Sequence, residues 1–312
     1  KKSNAQIARE FDAAMNPAGT LGVFTTAKDR STELRDAVRA HAGNGTANGL
    51  WAQVTGGKTK LKGISTGAQD LDLDTDAYGL AVGGEAALQN ITLGAAFMGG
   101  SGKTENDSVA GKDDFNYYGI SFYAKTQVQG IDLEGDVSAA WLKSDLTVGG
   151  AADVDTDTTT AVYSLGIQAK KTFNLGVDVT PFIGMDVYHI KSDGFTTNHG
   201  VSIEDANATI VEFPIGAEVK KALQTSSGFS VAPSFSLAVV PTVGCKDIDS
   251  KVRFAGAEST YNFTFADDVK VRSQLGIEAQ KDNFTLGLAA GYDWGNEERS
   301  AASVQLRAKY AF

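Results

Sequence analysis

Apolar side chains recur at every second position through most of this chain, with polar ones between them. Tyr78, Leu80 and Val82 begin the series, and Ile91, Leu93, Ala95 and Phe97 follow. Tyr118, Ile120 and Phe122 come next, then Leu133, Val137, Ala139 and Trp141. The spacing persists in Tyr163, Leu165, Ile167; Val177, Val179, Ile183, Met185, Val187; and Val211, Phe213, Ile215. It ends with Val231, Phe235, Leu237; Val269, Val271, Leu275, Ile277; and Phe284, Leu286, Leu288. Strand side chains point alternately to opposite faces, so a period of two predicts strands. With a first strand near Leu50–Thr59 and a last one through Ala301–Phe312, the total is about twelve.

The last strand says what the two faces meet. Val304, Leu306, Ala308, Tyr310 and Phe312 share a face suited to lipid, and Ser303, Gln305, Arg307 and Lys309 share one suited to a wet interior. The chain stops on Phe312, as bacterial outer-membrane barrels commonly do. Connections alternate in length. Short turns lie near Gln89-Asn90, Gln129-Gly130, 174–176, 226–228 and 281–283; long polar loops lie near 65–74, 104–114, 149–158, 193–205 and 246–258. Short and long connections on opposite rims are the mark of a transmembrane antiparallel β-barrel, and an even strand number places both barrel termini on the short-turn rim. Glu134, Asp136, Asp178, Asp186, Glu212, Glu218, Lys270, Arg272 and Glu278 all fall on the faces away from the apolar stripes, as does Arg307. A soluble sandwich would not produce that segregation, so these residues are expected to line a lumen.

Residues 1–47 read differently from the barrel segment 48–312. Ser3–Met15 is helix-compatible, with Ile7, Phe11 and Met15 four apart, and Pro17 and Gly19 end it. A second helical stretch, Ser31–Ala42, carries Leu34, Val38 and Ala42 at the same spacing, with Ser31 or Thr32 as its N-cap. A Gly/Asn-rich hinge leads into the first strand. The pore is the obvious resting place for a helix so joined, and Ser31–Ala42 is the favoured occupant because it lies closest to the barrel.

Composition sharpens the picture. Gly numbers 35 and Pro 5, a ratio that suits closed, twisted sheets, where Pro removes a needed donor. No window approaches the ~20 apolar residues of a membrane helix. A mean hydropathy of −0.16 does not exclude a barrel, because only alternate residues meet lipid. The net charge of −10 argues against nucleic acid. Cys245 stands alone, so no intramolecular disulfide forms. Beginning at Lys1 without a signal core, the sequence reads as the C-terminal part of something longer.

Glu33-Leu34-Arg35-Asp36, the Gly-rich gap and Gly49-Leu50-Trp51-Ala52-Gln53-Val54-Thr55-Gly56-Gly57 resemble the signature of the translocator (β) domain of monomeric autotransporters, type V secretion. Gln53 stands where that family usually has Arg. The resemblance implies a barrel inserted in the outer membrane by the barrel-assembly machinery, which exports an N-terminal passenger and keeps a linker helix inside. It further implies a monomer surrounded by outer-membrane lipid, with no cofactor and no metal. On that reading Leu34, Arg35, Asp36, Val38 and Arg39 belong to the pore helix, charged wall residues pair with it, and Tyr310 and Phe312 serve as the assembly signal.

Other functions compete with this one. A passive channel or porin would share the barrel but has no reason to lead with two amphipathic segments and a hinge. Some autotransporters cleave themselves through a linker Asn, with acidic lumen residues assisting; Asp132 is the candidate helper, but the Asn-Asn pair is missing. A surface hydrolase would need a triad from His41, His189 or His199, and no G-x-S-x-G elbow exists. Asp153, Asp155 and Asp157 alternate without the Gly and distal Glu of a calcium loop. Gly99–Thr104 lacks the leading Gly and following helix of a phosphate loop. The expectation is a translocator and not an enzyme.

Overall fold

The computed structural model describes residues 3–41, 48–65, 70–149, 153–296 and 298–312. Twelve antiparallel strands close into a barrel. They are β1 (Gly49–Ser65), β2 (Asp70–Leu88), β3 (Ile91–Asn106), β4 (Gly111–Val128), β5 (Ile131–Val148) and β6 (Val154–Lys170). Next come β7 (Asp178–Ser192), β8 in two pieces (Ala206–Glu212 and Ile215–Lys220) and β9 (Ser230–Gly244). The wall ends with β10 (Val269–Lys281), β11 (Phe284–Gly295) and β12 (Arg299–Ala311). Pairing of Gly49 with Ala311 through Leu61 with Arg299 joins the first strand to the last, which leaves no edge for a bilayer to confront.

Alternation holds around the wall. Leu50, Leu80, Phe97, Phe122, Leu165, Leu275, Leu288 and Leu306 are exposed outward, whereas Trp51, Gln53, Tyr123, Asp136 and Gln305 are buried inward. The short turns gather on one rim with Gly49 and Ala311; in one of them Gln129 and Gly130 take φ of 51° and 75°, the turn that suits strand twist. Prolines interrupt the ladder locally. Pro214 divides β8, and its carbonyl accepts from Gly184 at 2.8 Å while Phe213 N–H reaches Pro241 at 2.9 Å, so the ladder bridges the gap.

On the long-loop rim β1 to β6 run 16–19 residues each. A bilayer needs only about 9–11 tilted residues, so these strands stand well clear of it. The expected loops near 104–114 and 149–158 are accordingly shortened to the ends of long strands, and the loop at 246–258 is instead a hairpin, Asp247–Phe254 with Ala257–Thr264. Ser202-Ile203 and Phe195-Thr196 extend that hairpin to a small sheet. Val201, Ile203 and Val252 form its core, with Met15, Phe195 and Tyr261 against it. The loop near 65–74 and the hinge after His41 fall partly or wholly outside the described residues.

Three helices precede the wall: α1 (Asn4–Met15), α2 (Pro17–Thr20) and α3 (Val23–His41). The Ser3 hydroxyl caps α1 by accepting from Gln6 N–H. Pro17 opens α2, and the Asn16 side chain caps it. Two expectations are corrected. The second helix begins at Val23, not at Ser31, whose hydroxyl instead meets Ser164 at 3.4 Å; Thr32 bonds back to the Lys28 carbonyl inside the helix. On α1 the buried face is Ala13-Ala14 with Glu10, while Ile7 and Phe11 stay exposed; only Met15 of the expected stripe packs.

Candidate functional site: a helix in the pore

α3 is 19 residues long, about 28 Å, close to the thickness of a bilayer core. It starts at the long-loop rim, where Phe24 lies 5.5 Å from Phe263 and 6.4 Å from Phe265 of the hairpin. It ends at the short-turn rim, where the Lys309 ammonium donates to the His41 carbonyl at 3.1 Å and so satisfies a C-terminal acceptor. His41 stacks on Trp51 at 4.3 Å. The Trp51 indole donates to Tyr123 at 2.9 Å, and Glu85 accepts from Tyr123 and pairs with Lys309.

The helix carries three adjoining stripes. Ala27-Lys28-Asp29 and Leu34-Arg35-Asp36 repeat the order apolar, basic, acidic at a seven-residue interval. Successive residues are turned by about 100° and residues seven apart nearly coincide, so each class forms its own line. The apolar line, Ala27, Leu34 and Val38, is fully buried, with Leu34 against Gly119 of β4. The basic line meets acids. Arg35 Nε donates to Asp136 at 3.1 Å, and Arg39 reaches both oxygens of Asp186 at 3.1 and 2.6 Å. Lys28 donates to Glu212 at 2.5 Å, and Lys270, two strands along the wall on β10, reaches the same oxygen at 2.8 Å. The acidic line meets bases: Asp29 holds Arg299 at 2.6 Å, and Asp36 holds Arg272 at 3.2 Å.

Register explains how the wall presents this pattern. Asp136 on β5 pairs with Gly166 on β6, Gly166 with Asp186 on β7, and Asp186 with Glu212 on β8. Three carboxylates therefore sit in one row, and the gap at Gly166 is where the arginines enter. A Cβ there would lie 2.5 Å from Asp136 Oδ1, 2.7 Å from Arg35 Nε and 2.8 Å from Arg39. Tyr188, two positions from Asp186, lies under the row; Arg35 stacks over its ring at 4.7 Å and Lys28 at 5.3 Å.

The remaining charged residues expected to line the lumen find partners within the wall or face the cavity. Glu134 takes Lys170 at 2.5 Å, and Glu278 pairs with Lys220 across the wall. Asp178 accepts from Asn174 at the short-turn rim, and Arg307 donates to Gln305. Glu218 and Arg307 line a cavity of about 740 Å³ that runs beside α3, because the helix leans on β4–β7 and leaves the opposite side wet. Asp132 is bonded to Gln127 of the neighbouring strand. Tyr310 and Phe312 stack at 6.4 Å on the outward face. His189 faces outward on Thr209, and among the described residues no group of three or more His, Cys, Asp or Glu is placed to hold a metal. Trp51 belongs to the segment that carries the family resemblance, whereas Lys28, Asp29, Arg299 and Tyr123 are not among the residues expected from sequence; the seven-residue triplet repeat is the available signal for the first two.

Comparison with known proteins agrees with this architecture. The family model for the autotransporter β-domain matches residues 50–293. Among solved structures, the translocator domain of NalP from Neisseria meningitidis superposes with a TM-score of 0.72 at 14% identity, covering 92% of this chain and 96% of that one. The transport unit of AIDA-I from Escherichia coli gives 0.62 at 14% identity, covering 92% and 98%. The β-domain of the Bordetella autotransporter BrkA gives 0.60 at 16% identity, covering 85% and 100%. No curated protein sequence matches. The chain thus belongs to the autotransporter β-domain family: it is an outer-membrane translocator barrel with its own N-terminal helix in the pore.

Proposed function

We propose that this barrel passes a polypeptide joined ahead of α1 outward through its lumen and then keeps α3 as a charge-keyed plug. The observation that carries the reading is the pairing of both charged lines of α3 with opposite charges on the wall. A helix that merely drifted into a pore would leave such buried charges uncompensated, at several kcal/mol each. The 1–47 segment is then a linker and 48–312 the translocator proper. The barrel-assembly machinery inserts the chain, reading the outward Tyr310 and Phe312 at the end of β12, and the closed wall works as a monomer. The barrel performs no chemistry: the lumen acids nearest the helix are engaged in ion pairs, Asp136 and Asp186 with arginines and Glu212 with Lys28, and Asp132 is tied to Gln127.

Single-channel conductance in a planar bilayer tests the plug. The intact chain should conduct weakly, and a chain lacking residues 1–45 should conduct several-fold more. Equal, high conductance in both would replace this reading with a passive channel.

A further inference from the structure

Two successive hairpins of the short-turn rim open with adjacent lysines, 170-171 and 220-221, and each pair splits across the wall. The first lysine points into the lumen and meets a wall carboxylate: Lys170 holds Glu134 at 2.5 Å, and Lys220 holds Glu278. The second continues the outward apolar stripe. Leu165, Ile167 and Ala169 lead to Lys171 on β6, and Ile215, Ala217 and Val219 lead to Lys221 on β8. Both lysines are held in the ladder, because each N–H donates at 3.2 Å to a proline carbonyl opposite, Pro181 or Pro233. The next hairpin repeats the outward half, with Leu275, Ile277 and Ala279 leading to Lys281 on β10. Lys171 lies over the Phe173 ring at 5.5 Å, and Lys281 over Phe229 at 5.0 Å. Among the described residues none of the three has a carboxylate partner. The acids of these turns are Asp282, next in sequence to Lys281, and Asp178, bonded to Asn174.

The rest of that rim is built differently. β2 and β4 end outward on Leu88 and Val128, and β12 ends on Tyr310 and Phe312, so the lysines mark one arc, β6 to β10. Register puts Lys171 in the row of Ala217, two outward positions above Lys221, and Lys221 in the row of Ile277, two above Lys281. They step along the rim with strand tilt instead of sharing a row. Outward lysines of the outer half are set among acids. Lys58, Lys60, Lys103 and Lys112 pair with carboxylates, and Lys143 and Lys191 share that half with Asp145, Asp157 and Asp193. The arc also holds an apolar cleft of about 280 Å³, which opens beside Lys171 between Ile131, Pro181 and Ile183. Its floor is Ala169, the small member of the row Leu133, Ala169, Ile183, and Lys171 stands at its rim side.

We propose that this arc binds anionic glycerophospholipid of the periplasmic leaflet, with one acyl chain seated in the cleft beside Lys171. The short-turn rim faces the periplasm, so an outward side chain at the end of a wall strand meets headgroups there. A lysine stem lies along apolar surface while its ammonium reaches the phosphate plane. The ring beneath Lys171 or Lys281 steadies that ammonium without neutralising it, and the lipid phosphate supplies the counter-charge that no carboxylate provides. Successive lysines are two strands apart, about 10 Å across the wall, so each takes its own headgroup. An anionic headgroup is preferred over a zwitterionic one, whose own ammonium opposes the lysine. The cleft favours a lipid over a soluble anion, because it offers apolar wall directly above the cation.

Native mass spectrometry of the refolded full chain in detergent tests this, with phosphatidylglycerol or phosphatidylethanolamine added. The intact chain should retain phosphatidylglycerol over phosphatidylethanolamine. Lys171→Ala should weaken the most tightly held phosphatidylglycerol about fivefold, and Lys171→Ala/Lys221→Ala/Lys281→Ala should abolish the preference. Ala169→Phe fills the cleft without changing charge and should weaken the same lipid several-fold, whereas Lys171→Arg should retain it. Lys62→Ala/Lys143→Ala/Lys191→Ala makes the same charge change on the outer half and should behave as the parent. Heat-modifiable mobility on gels reports whether each variant is folded. Equal retention of the two lipids overturns the proposal. So does an unchanged triple variant, an unchanged Ala169→Phe variant, or an equal loss in the outer-half control.

Discussion

Asp136 and Glu134 lie two residues apart on the same inward face of β5, yet they do different work. Asp136 compensates Arg35, which has no exposure at all, whereas Glu134 compensates Lys170 on the wall. Asp136→Asn keeps the shape and removes the charge, leaving a buried guanidinium short of its counter-ion at a cost of about 3–5 kcal/mol. Amide exchange along α3 should accelerate and conductance rise, while Glu134→Gln should leave both unchanged. If the two variants behave alike, the ion pairs do not hold the helix. Both acids were legible as inward-facing from alternation alone. Which one meets the helix was not, because that depends on strand stagger around the wall, which places Gly166 between Asp136 and Asp186.

Among the elements, the outer hairpin and α1 departed furthest from sequence expectation. Residues 246–258 are rich in polar and charged side chains, and polar segments between strands read as loops; here backbone pairing and a core of Val201, Ile203 and Val252 make them a sheet. α1 docks on that sheet through Met15, with Asp12 beside Tyr261. Burial raises the Asp12 carboxyl above the usual carboxylate range, and burial beside Asp12 pushes the Tyr261 phenol up to about 12. The folded cap therefore holds its proton more tightly than the unfolded chain does. Its docking is strongest below the ordinary carboxylate pKa and weakens as pH rises through the raised one. Exchange of α1 amides, corrected for intrinsic rate, should show looser docking at about pH 8 than at about pH 4. In Asp12→Asn that difference should vanish, and persistence of the full difference would place the titrating group elsewhere.

At the scale of the whole molecule, the bilayer is the solvent that sorts the two faces. Leu306 is outward and 56% exposed to it, while its neighbour Gln305 is buried in the lumen. Leu306→Arg should cost about 2–4 kcal/mol in reversible unfolding from lipid vesicles, as a charge facing hydrocarbon does. Gln305→Arg, on a face already holding Arg307 and Lys309, should cost far less. Equal costs would mean that the two faces do not see different solvents.

The sequence by itself determined the barrel, because the period of two and the alternation of turn lengths are local properties that survive without any knowledge of neighbours. It also determined that an N-terminal helix carries charges of both signs, in Glu33, Arg35, Asp36 and Arg39, whereas the repeat that adds Lys28 and Asp29 needs the helix to begin at Val23. Only the tertiary structure decided which strands face those charges, where the helix begins, and that a row of three carboxylates is broken by one glycine. Each of these rests on which residue of one strand stands beside which of the next, and that register is set by closure of the whole wall.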